Sequence, residues 1–355
     1  MQGVLHKTLV IRLSSVGDIV LSSPLLRSLH RHFPDCQIDF LVKSEYADLV
    51  RHNAHVARVL EFPPRGTLGD VIRMRRTVQQ SRYDLIIDIH DSIRSRLIAA
   101  GARDLCRVNK RKIARTLLIL FKIDCYARFG GSPGVAERYL ETVARFGVHA
   151  DALELELFYP EESRRAMEAM LGAEGIPSDA AFIAVCPASR HANKIWPLER
   201  FAEAAGRLAA ARALPVIIFG SHEERQRCSA VAEQIMRSCA GVRALSLAGR
   251  VSLLETAAAM DRCAIVLTND TGLMHIASAR GIPVVAIFGP TVRQFGFFPP
   301  ERTSTVVEHG ALSCRPCTHI GRDSCPEGHF RCMKEISVNS VVAAAEDRMR
   351  QGIRA

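Results

Sequence analysis

Residues 264–288 constrain this chain more than any other stretch. Ala264-Ile265-Val266-Leu267 is an apolar run that stops at Thr268-Asn269-Asp270-Thr271-Gly272, and a helix-like pattern starts at once through Leu273, Met274 and His275. A second buried-strand run follows, Ile282-Pro283-Val284-Val285-Ala286-Ile287-Phe288, and then Gly289-Pro290-Thr291. Strand, polar turn, helix and strand predict a βαβ unit. Its parallel pairing puts the Asn-Asp-Thr-Gly turn at the carboxyl end of a strand, where open α/β sheets bind ligands. The helix start near Thr271 aims unpaired backbone N–H groups and a positive dipole end at that crevice, which suits a diphosphate. Asp270 cannot hold phosphate, but it can accept hydrogen bonds from sugar hydroxyls. An Asp that merely caps the helix explains the local pattern equally well.

The same alternation runs through the whole chain. Thr8-Leu9-Val10-Ile11 reads as a strand that ends in Arg12-Leu13-Ser14-Ser15-Val16-Gly17-Asp18. Ile19, Leu21, Leu25, Leu26 and Leu29 then predict a helix, with Pro24 tolerated in its first turns. Strands are expected over 37–42 and 84–89. The second ends at His90-Asp91-Ser92 and feeds a helix carrying Arg94, Ser95, Arg96 and Leu97. A long helix is expected over 137–146. Near Pro177 the pattern restarts, with strands over 182–185 and 215–219, helices over 196–212 and 253–263, and the opening βαβ unit after them. This predicts an α/β protein of two Rossmann-like domains, 1–177 and 178–355, facing across a cleft. The final helix, 338–349, is expected either in the second domain or folded back onto the first.

Composition narrows the class. The 355 residues suffice for two domains, and 48% are hydrophobic. Aromatic residues make up 6%, too few for a base-stacking platform. A net charge of +10 asks for an anionic partner. No apolar run reaches bilayer length, and the N-terminus lacks the apolar core of a signal peptide, so a cytoplasmic protein is expected. Of the 11 cysteines, seven sit singly in apolar surroundings and read as packed thiols, Cys186 and Cys263 among them. Cys314, Cys317, Cys325 and Cys332, with His319 and His329 nearby, begin with a zinc-type spacing but continue unlike a common finger. Metal ligation, free thiols and a redox-labile pair all remain open there.

The Gly-x-Gly-x-x-Gly and P-loop patterns are absent, and so is Asp-x-Asp. Diphosphate charge must then be met by helix N-termini and cations. Lys194, in Ser189-Arg190-His191-Ala192-Asn193-Lys194-Ile195-Trp196-Pro197, can act as that point charge. Trp196 reads as a packing anchor. Glu223, after a strand-ending glycine, can accept ribose hydroxyls or simply be a solvated surface carboxylate. Gly17 allows close approach to the backbone, and Asp18 can be a general base or a helix cap. From Arg94 to Arg128 there are ten Lys or Arg and two Asp. Within that stretch the apolar Thr116-Leu117-Leu118-Ile119-Leu120-Phe121 reads as a membrane-surface or anionic-glycan face, or as a core helix in a solvated basic surface.

With these segments in order, the chain resembles glycosyltransferase family 9, the heptosyltransferases of lipopolysaccharide core assembly. The resemblance is carried by Val10–Asp18, Asp84-Leu85-Ile86-Ile87-Asp88 with Arg94-Ser95, Lys194–Pro197, Asn269–His275, Phe288-Gly289-Pro290-Thr291 and the cysteine segments near the end. It implies a GT-B architecture and an inverting, metal-independent transfer from an ADP-sugar, with no cofactor, onto the lipopolysaccharide core. The setting it implies is peripheral, on the inner-leaflet surface at the cytoplasmic face of the inner membrane, without nucleic acid. The residues it implies are Asp18 and Lys194 for catalysis. For the donor they are Ser189, Lys194, Glu223, Asp270, Thr271, Gly272, Leu273 and His275. For the acceptor they are Arg12, Ser15, Gly17, His90 and Arg94. One departure stands out: Asp88-Ile89-His90-Asp91 replaces Asp-Leu-Gln-Gly or Asp-Ala-Gln-Gly, which alters the acceptor side. A nucleotide-sugar epimerase and a non-catalytic anionic-glycan-binding protein are the alternative readings.

Overall fold

A computed structural model describes residues 5–352. By internal contacts the chain divides into two compact units, residues up to Lys110 with Pro133–Phe158, and Arg111–Ser132 with Tyr159 onward. The first unit holds β1 (Lys7–Ile11), β2 (Gln37–Lys43), β3 (Arg58–Phe62), β4 (Leu85–Asp88) and β5 (Leu105–Arg107) in the order β3-β2-β1-β4-β5. The second holds β6 (Phe182–Cys186), β7 (Val216–Ile218), β8 (Ala244–Ser246), β9 (Cys263–Asn269), β10 (Val284–Phe288) and β11 (Ser304–Glu308) in the order β11-β10-β9-β6-β7-β8. Every pairing in both sheets is parallel. Helices carry the crossovers except that from β10 to β11, which holds only the 3₁₀ turn Arg293–Phe295.

Both orders reverse direction once. In the first sheet the chain leaves β1 toward β2 and later returns to β4 on the other side. In the second it leaves β6 toward β7 and returns to β9. Each reversal opens a crevice beyond the strands' carboxyl ends, because the two flanking loops lead to opposite sides. The crevice of the first unit lies between the loops after β1 and β4. That of the second lies between the loops after β6 and β9.

The central strands are buried on both faces, as their unbroken apolar runs require. The expected βαβ unit is present as β9, the helix Gly272–Ala279 and β10. Elsewhere the structure corrects the expected elements. The helix expected through Ile19–Leu29 is two, Val16–Val20 and Ser23–His32. The Ser22 and Ser23 hydroxyls donate to the Ile19 and Val20 carbonyls at 2.6 and 2.8 Å. Pro24 has no N–H to claim the Val20 carbonyl, so the ladder breaks there. The long helix over 137–146 is Val135–Glu141 followed by a 3₁₀ turn, Ala144–Phe146. Thr142, Val143, Phe146 and Gly147 donate to carbonyls three residues back rather than four. The helix after Trp196 begins at Leu198, because Pro197 disfavours helical geometry at Trp196 and itself sits as the non-helical N-cap; the free Trp196 N–H donates to Asn269 Oδ1 at 3.0 Å.

Residues 111–132 and 159–177, expected in the first domain, fall by internal contacts in the second unit. The helix Glu161–Ala173 buries Met167 and Leu171 and packs on the helix Leu253–Met260, so it belongs with the second sheet. The final helix, Val338–Gly352, places Val341, Ala345 and Met349 in the core of the second unit.

Candidate functional site

In the first unit, β1 ends in a loop whose charges are mutually satisfied. Arg12, nearly buried, crosses the switch crevice and donates Nη1 to the Ile89 carbonyl at 2.8 Å. Its Nη2 lies 2.6 Å from Asp18 Oδ2. Asp18, on the short helix Val16–Val20, also accepts from Ser15 Oγ at 3.2 Å, and its Oδ1 accepts from the Tyr139 hydroxyl at 3.2 Å. Burial pushes the Asp18 carboxyl up, but the Arg12 charge and the hydrogen bonds from Arg12 and Ser15 outweigh it and hold Asp18 below the usual carboxylate range. Asp18 is therefore ionised at neutral pH and placed by three neighbours. Gly17 is buried beside it and Ser15 is exposed.

Across the same crevice, β4 ends in a tight turn. Buried Asp88 accepts from the His90 and Asp91 N–H groups at 3.1 and 2.8 Å and from Ser95 Oγ at 2.9 Å. Lys110 donates to the His90 and Asp91 carbonyls. Burial drives the His90 imidazole down to about 3, and the neighbouring Arg12 and Lys110 charges push the same way. Its Nδ1 is buried with no hydrogen-bond partner among the described residues. His90 is thus a neutral ring with one polar atom unspent. Arg94 is exposed on the helix Ile93–Ile98.

The second unit gathers a different set at its own switch crevice. Lys194 Nζ lies 2.6 Å from Asp270 Oδ2, and both side chains are about nine-tenths buried. Thr291, at the end of the loop after β10, donates its hydroxyl to the same Oδ2 at 2.9 Å. Both contacts fall on one carboxylate oxygen, Oδ2, and neither engages Oδ1. Ser189 Oγ reaches the Asp270 carbonyl at 3.5 Å. Thr271 caps the helix Gly272–Ala279, its Oγ1 accepting from Leu273 N at 3.2 Å. The remaining first-turn N–H groups and the dipole end point out of the crevice floor. His275 is buried one turn on. Glu223 is exposed in a 3₁₀ turn, His222–Glu224, at the carboxyl end of β7.

Asn269 holds this crevice together. Its Nδ2 donates to the Pro187 carbonyl at 2.7 Å while its Oδ1 accepts the Trp196 N–H, so the loops after β6 and β9 are tied through one side chain. Trp196 is fully buried and donates Nε1 to the Ile336 carbonyl at 3.2 Å, the packing anchor expected of it. The thiol-rich segment braces the site from outside. Arg315 Nη2 donates to the Thr291 carbonyl at 2.9 Å, Cys317 N to the Pro290 carbonyl at 3.3 Å, and Arg322 N to Asn193 Oδ1 at 2.8 Å. Its four cysteines are free thiols, with Cys314 Sγ 3.8 Å from His329 Nε2. Among the described residues no three metal-ligating side chains are grouped to hold an ion. Cys186 and Cys263 are buried thiols, and burial pushes both well above their ordinary range.

Residues 71–326 match glycosyltransferase family 9 (heptosyltransferase). The chain belongs to glycosyltransferase family 9. Its architecture is the GT-B pair of Rossmann-like sheets, and its class of activity is glycosyl transfer. The lipooligosaccharide heptosyltransferase 2 of Haemophilus influenzae is 27% identical over 301 residues, 81% of this chain and 84% of the relative. A family 9 glycosyltransferase from Veillonella parvula superposes with a TM-score of 0.80 at 20% identity, covering 98% of each chain. The ADP-heptose lipopolysaccharide heptosyltransferase II of Escherichia coli superposes with a TM-score of 0.72 at 22% identity, covering 98% of this chain and 99% of that one.

Within this family 9 chain, the residues singled out in sequence fall into two groups, one at each switch crevice. Arg12, Ser15, Gly17, Asp18 and His90 belong to the first, and Ser189, Lys194, Asp270 and Thr271 to the second. Sequence reasoning did not foresee Tyr139, Thr291 or Arg315 as members. Thr291 closes a strand-ending Gly-Pro-Thr, which was a usable signal. Tyr139 arrives from a helix far along the chain and had none.

Proposed function

We propose that this chain is an inverting heptosyltransferase that moves a heptose from ADP-heptose to the lipopolysaccharide core, working at the cytoplasmic face of the inner membrane. The observation that carries the reading is the Lys194–Asp270–Thr291 cluster beside a helix N-terminus at a switch crevice. Lys194 and the first-turn N–H groups that the Thr271 cap leaves unpaired take the negative charge that grows on the departing diphosphate. Asp270, with Oδ2 already held, turns Oδ1 to a sugar hydroxyl. Glu223 is the carboxylate for the ribose. The heptosyltransferases among the relatives support the sugar, and the named donor of the Escherichia coli enzyme supports ADP.

On the acceptor side, Asp18 takes the proton of the attacking hydroxyl. Its lowered pKa makes it a weak base for a resting alcohol. The hydroxyl becomes acidic only as its oxygen bonds to the anomeric carbon, so transfer falls late in the step. Arg12 is already engaged with Asp18 and Ile89, and its part is to place the base. His90 and Arg94 are left to meet the acceptor itself.

The test is a donor and acceptor screen. The protein is incubated with ADP-, GDP- and UDP-sugars and truncated core oligosaccharide, and nucleotide release, glycan mass and anomeric configuration are read. Inverted heptosyl product from ADP-heptose alone is expected. Asp18→Asn should lower turnover by about 10²–10⁴-fold while leaving ADP affinity unchanged. Lys194→Ala should weaken both. Release from UDP-sugars alone, or near-full turnover by Asp18→Asn, would contradict the assignment.

A further inference from the structure

The helix Lys112–Phe121 is too apolar for the burial it receives. Seven of its ten residues are apolar, yet only Ala114 and Leu118 are buried, in a cluster with Cys125, Tyr126 and Phe295. Ile113, Leu120 and Phe121 stand 64%, 65% and 64% exposed, and Ile123 just beyond them 54%. Ile113, Leu120 and Phe121 recur at i, i+7 and i+8 and so share one face, while Leu117 at its border packs on the cluster. Four of the eleven exposed large hydrophobic residues among the described residues are thus confined to one short segment. Such a concentration marks a surface that something else covers.

The surrounding charge says what covers it. Residues 111–128 contain Arg111, Lys112, Arg115, Lys122 and Arg128 against Asp124 alone. A second copy would bring two such basic segments together. An anionic surface meets both the charge and the exposed side chains. The helix is about 15 Å long, too short to cross a bilayer, and among the described residues no helix qualifies as a span. Its length and two-faced character fit a helix lying in the plane of the headgroups. It is also firmly held. Lys122 donates Nζ to the carbonyls of Ile119, Cys314 and Pro316 at 2.9, 3.0 and 2.7 Å, so its C-terminal end is fastened to the thiol-rich segment. The opposite face packs on Val292 and Phe295, directly after Thr291 of the donor cluster.

We propose that the exposed face of this helix, with Ile123, inserts into the headgroup layer of an anionic phospholipid bilayer. This deepens the membrane-borne setting of the proposed function and names its attachment element. The experiment separates the two. Full-length protein is sedimented with vesicles of phosphatidylglycerol and phosphatidylethanolamine, and with vesicles of phosphatidylcholine alone, in parallel with turnover on deacylated core oligosaccharide. The wild type should bind the anionic vesicles, and binding should weaken as ionic strength rises from about 0.1 M to about 1 M. Leu120→Ser with Phe121→Ser, both at exposed sites, should lower vesicle affinity at least about tenfold while turnover on the soluble acceptor is kept. Unchanged vesicle binding by the double variant, no binding by the wild type, or a wild-type dimer that the variant converts to monomer would each overturn the proposal. Vesicle binding without any turnover would leave it standing and count against the heptosyl-transfer reading alone.

Discussion

At the scale of single residues, His90 is the most informative position. It occupies the place where the resembling segment, Asp-Leu-Gln-Gly, carries Gln, and it is neutral because burial and two cations depress its pKa to about 3. The following residue, Asp91, sits at φ 44°, in the left-handed region, which explains the glycine usual at that place. Asp tolerates this conformation better than most residues, and Arg96 holds its carboxylate at 2.6 Å. The His90 shift has a consequence for stability. The unfolded chain's histidine takes a proton near pH 6.5, and the folded one takes it only near pH 3. The fold keeps its full stability above pH 6.5 and loses it as pH falls through that value. By pH 5 the loss from this one residue is about 2 kcal/mol. Asp18 works in the other direction: its lowered pKa stabilises the fold above the normal carboxylate range, and that support fades only below it. Between pH 5 and 7 the Asp18 contribution is constant, and those of His55 and His191, also lowered by burial, are common to wild type and variant, so the comparison with His90→Gln isolates the His90 contribution. His90→Gln should therefore lose less stability than wild type on going from pH 7 to pH 5, as read from urea midpoints. Equal losses would mean that the imidazole is not held neutral.

At the scale of elements, the sequence was readable where periodicity and burial agree. β9, the helix Gly272–Ala279 and β10 were visible because two doubly buried strands bracket a turn rich in polar, cap-forming residues. Asp18, Lys194 and Asp270 were visible for the same reason, since each follows such a strand. β3, β5, β8 and β11 were not foreseen. β5 and β8 are three residues long, β3 and β11 five, and all four lie at or toward sheet edges with part of their surface exposed. They carry no long apolar run. Tyr139 and Arg315 escaped because their value lies in what the fold brings beside them. The helix Gly272–Ala279 allows a test of the donor side. Thr271 caps it through Leu273 N. Thr271→Ala should cost about 1 kcal/mol of stability. It should also weaken ADP binding, because the first turn is what presents the donor N–H groups. Trp196 is the single tryptophan, and its backbone N–H is tied to Asn269, so its fluorescence reports both quantities. Lost stability with unchanged ADP affinity would place the diphosphate elsewhere.

At the scale of the molecule, the division into two units sorts the chemistry. Each has its own sheet, core and switch crevice. The candidate base belongs to one and the candidate phosphate cation to the other. A ligand that binds one folded unit stabilises that unit by mass action, by about 2.7 kcal/mol at a hundredfold excess over its dissociation constant. ADP alone should then slow hydrogen exchange around 187–196, 269–275 and 289–291 and leave 12–18 and 88–95 unchanged. Deacylated core oligosaccharide alone should do the reverse. Both ligands have anionic groups, and the chain carries +10 overall, so a purely electrostatic association would slow exchange broadly and fade with salt. Protection confined to one crevice per ligand, and persisting at high salt, is what two built sites require. Protection of 12–18 by ADP alone would assign Asp18 to the nucleotide, and the division of labour between the units would have to be redrawn.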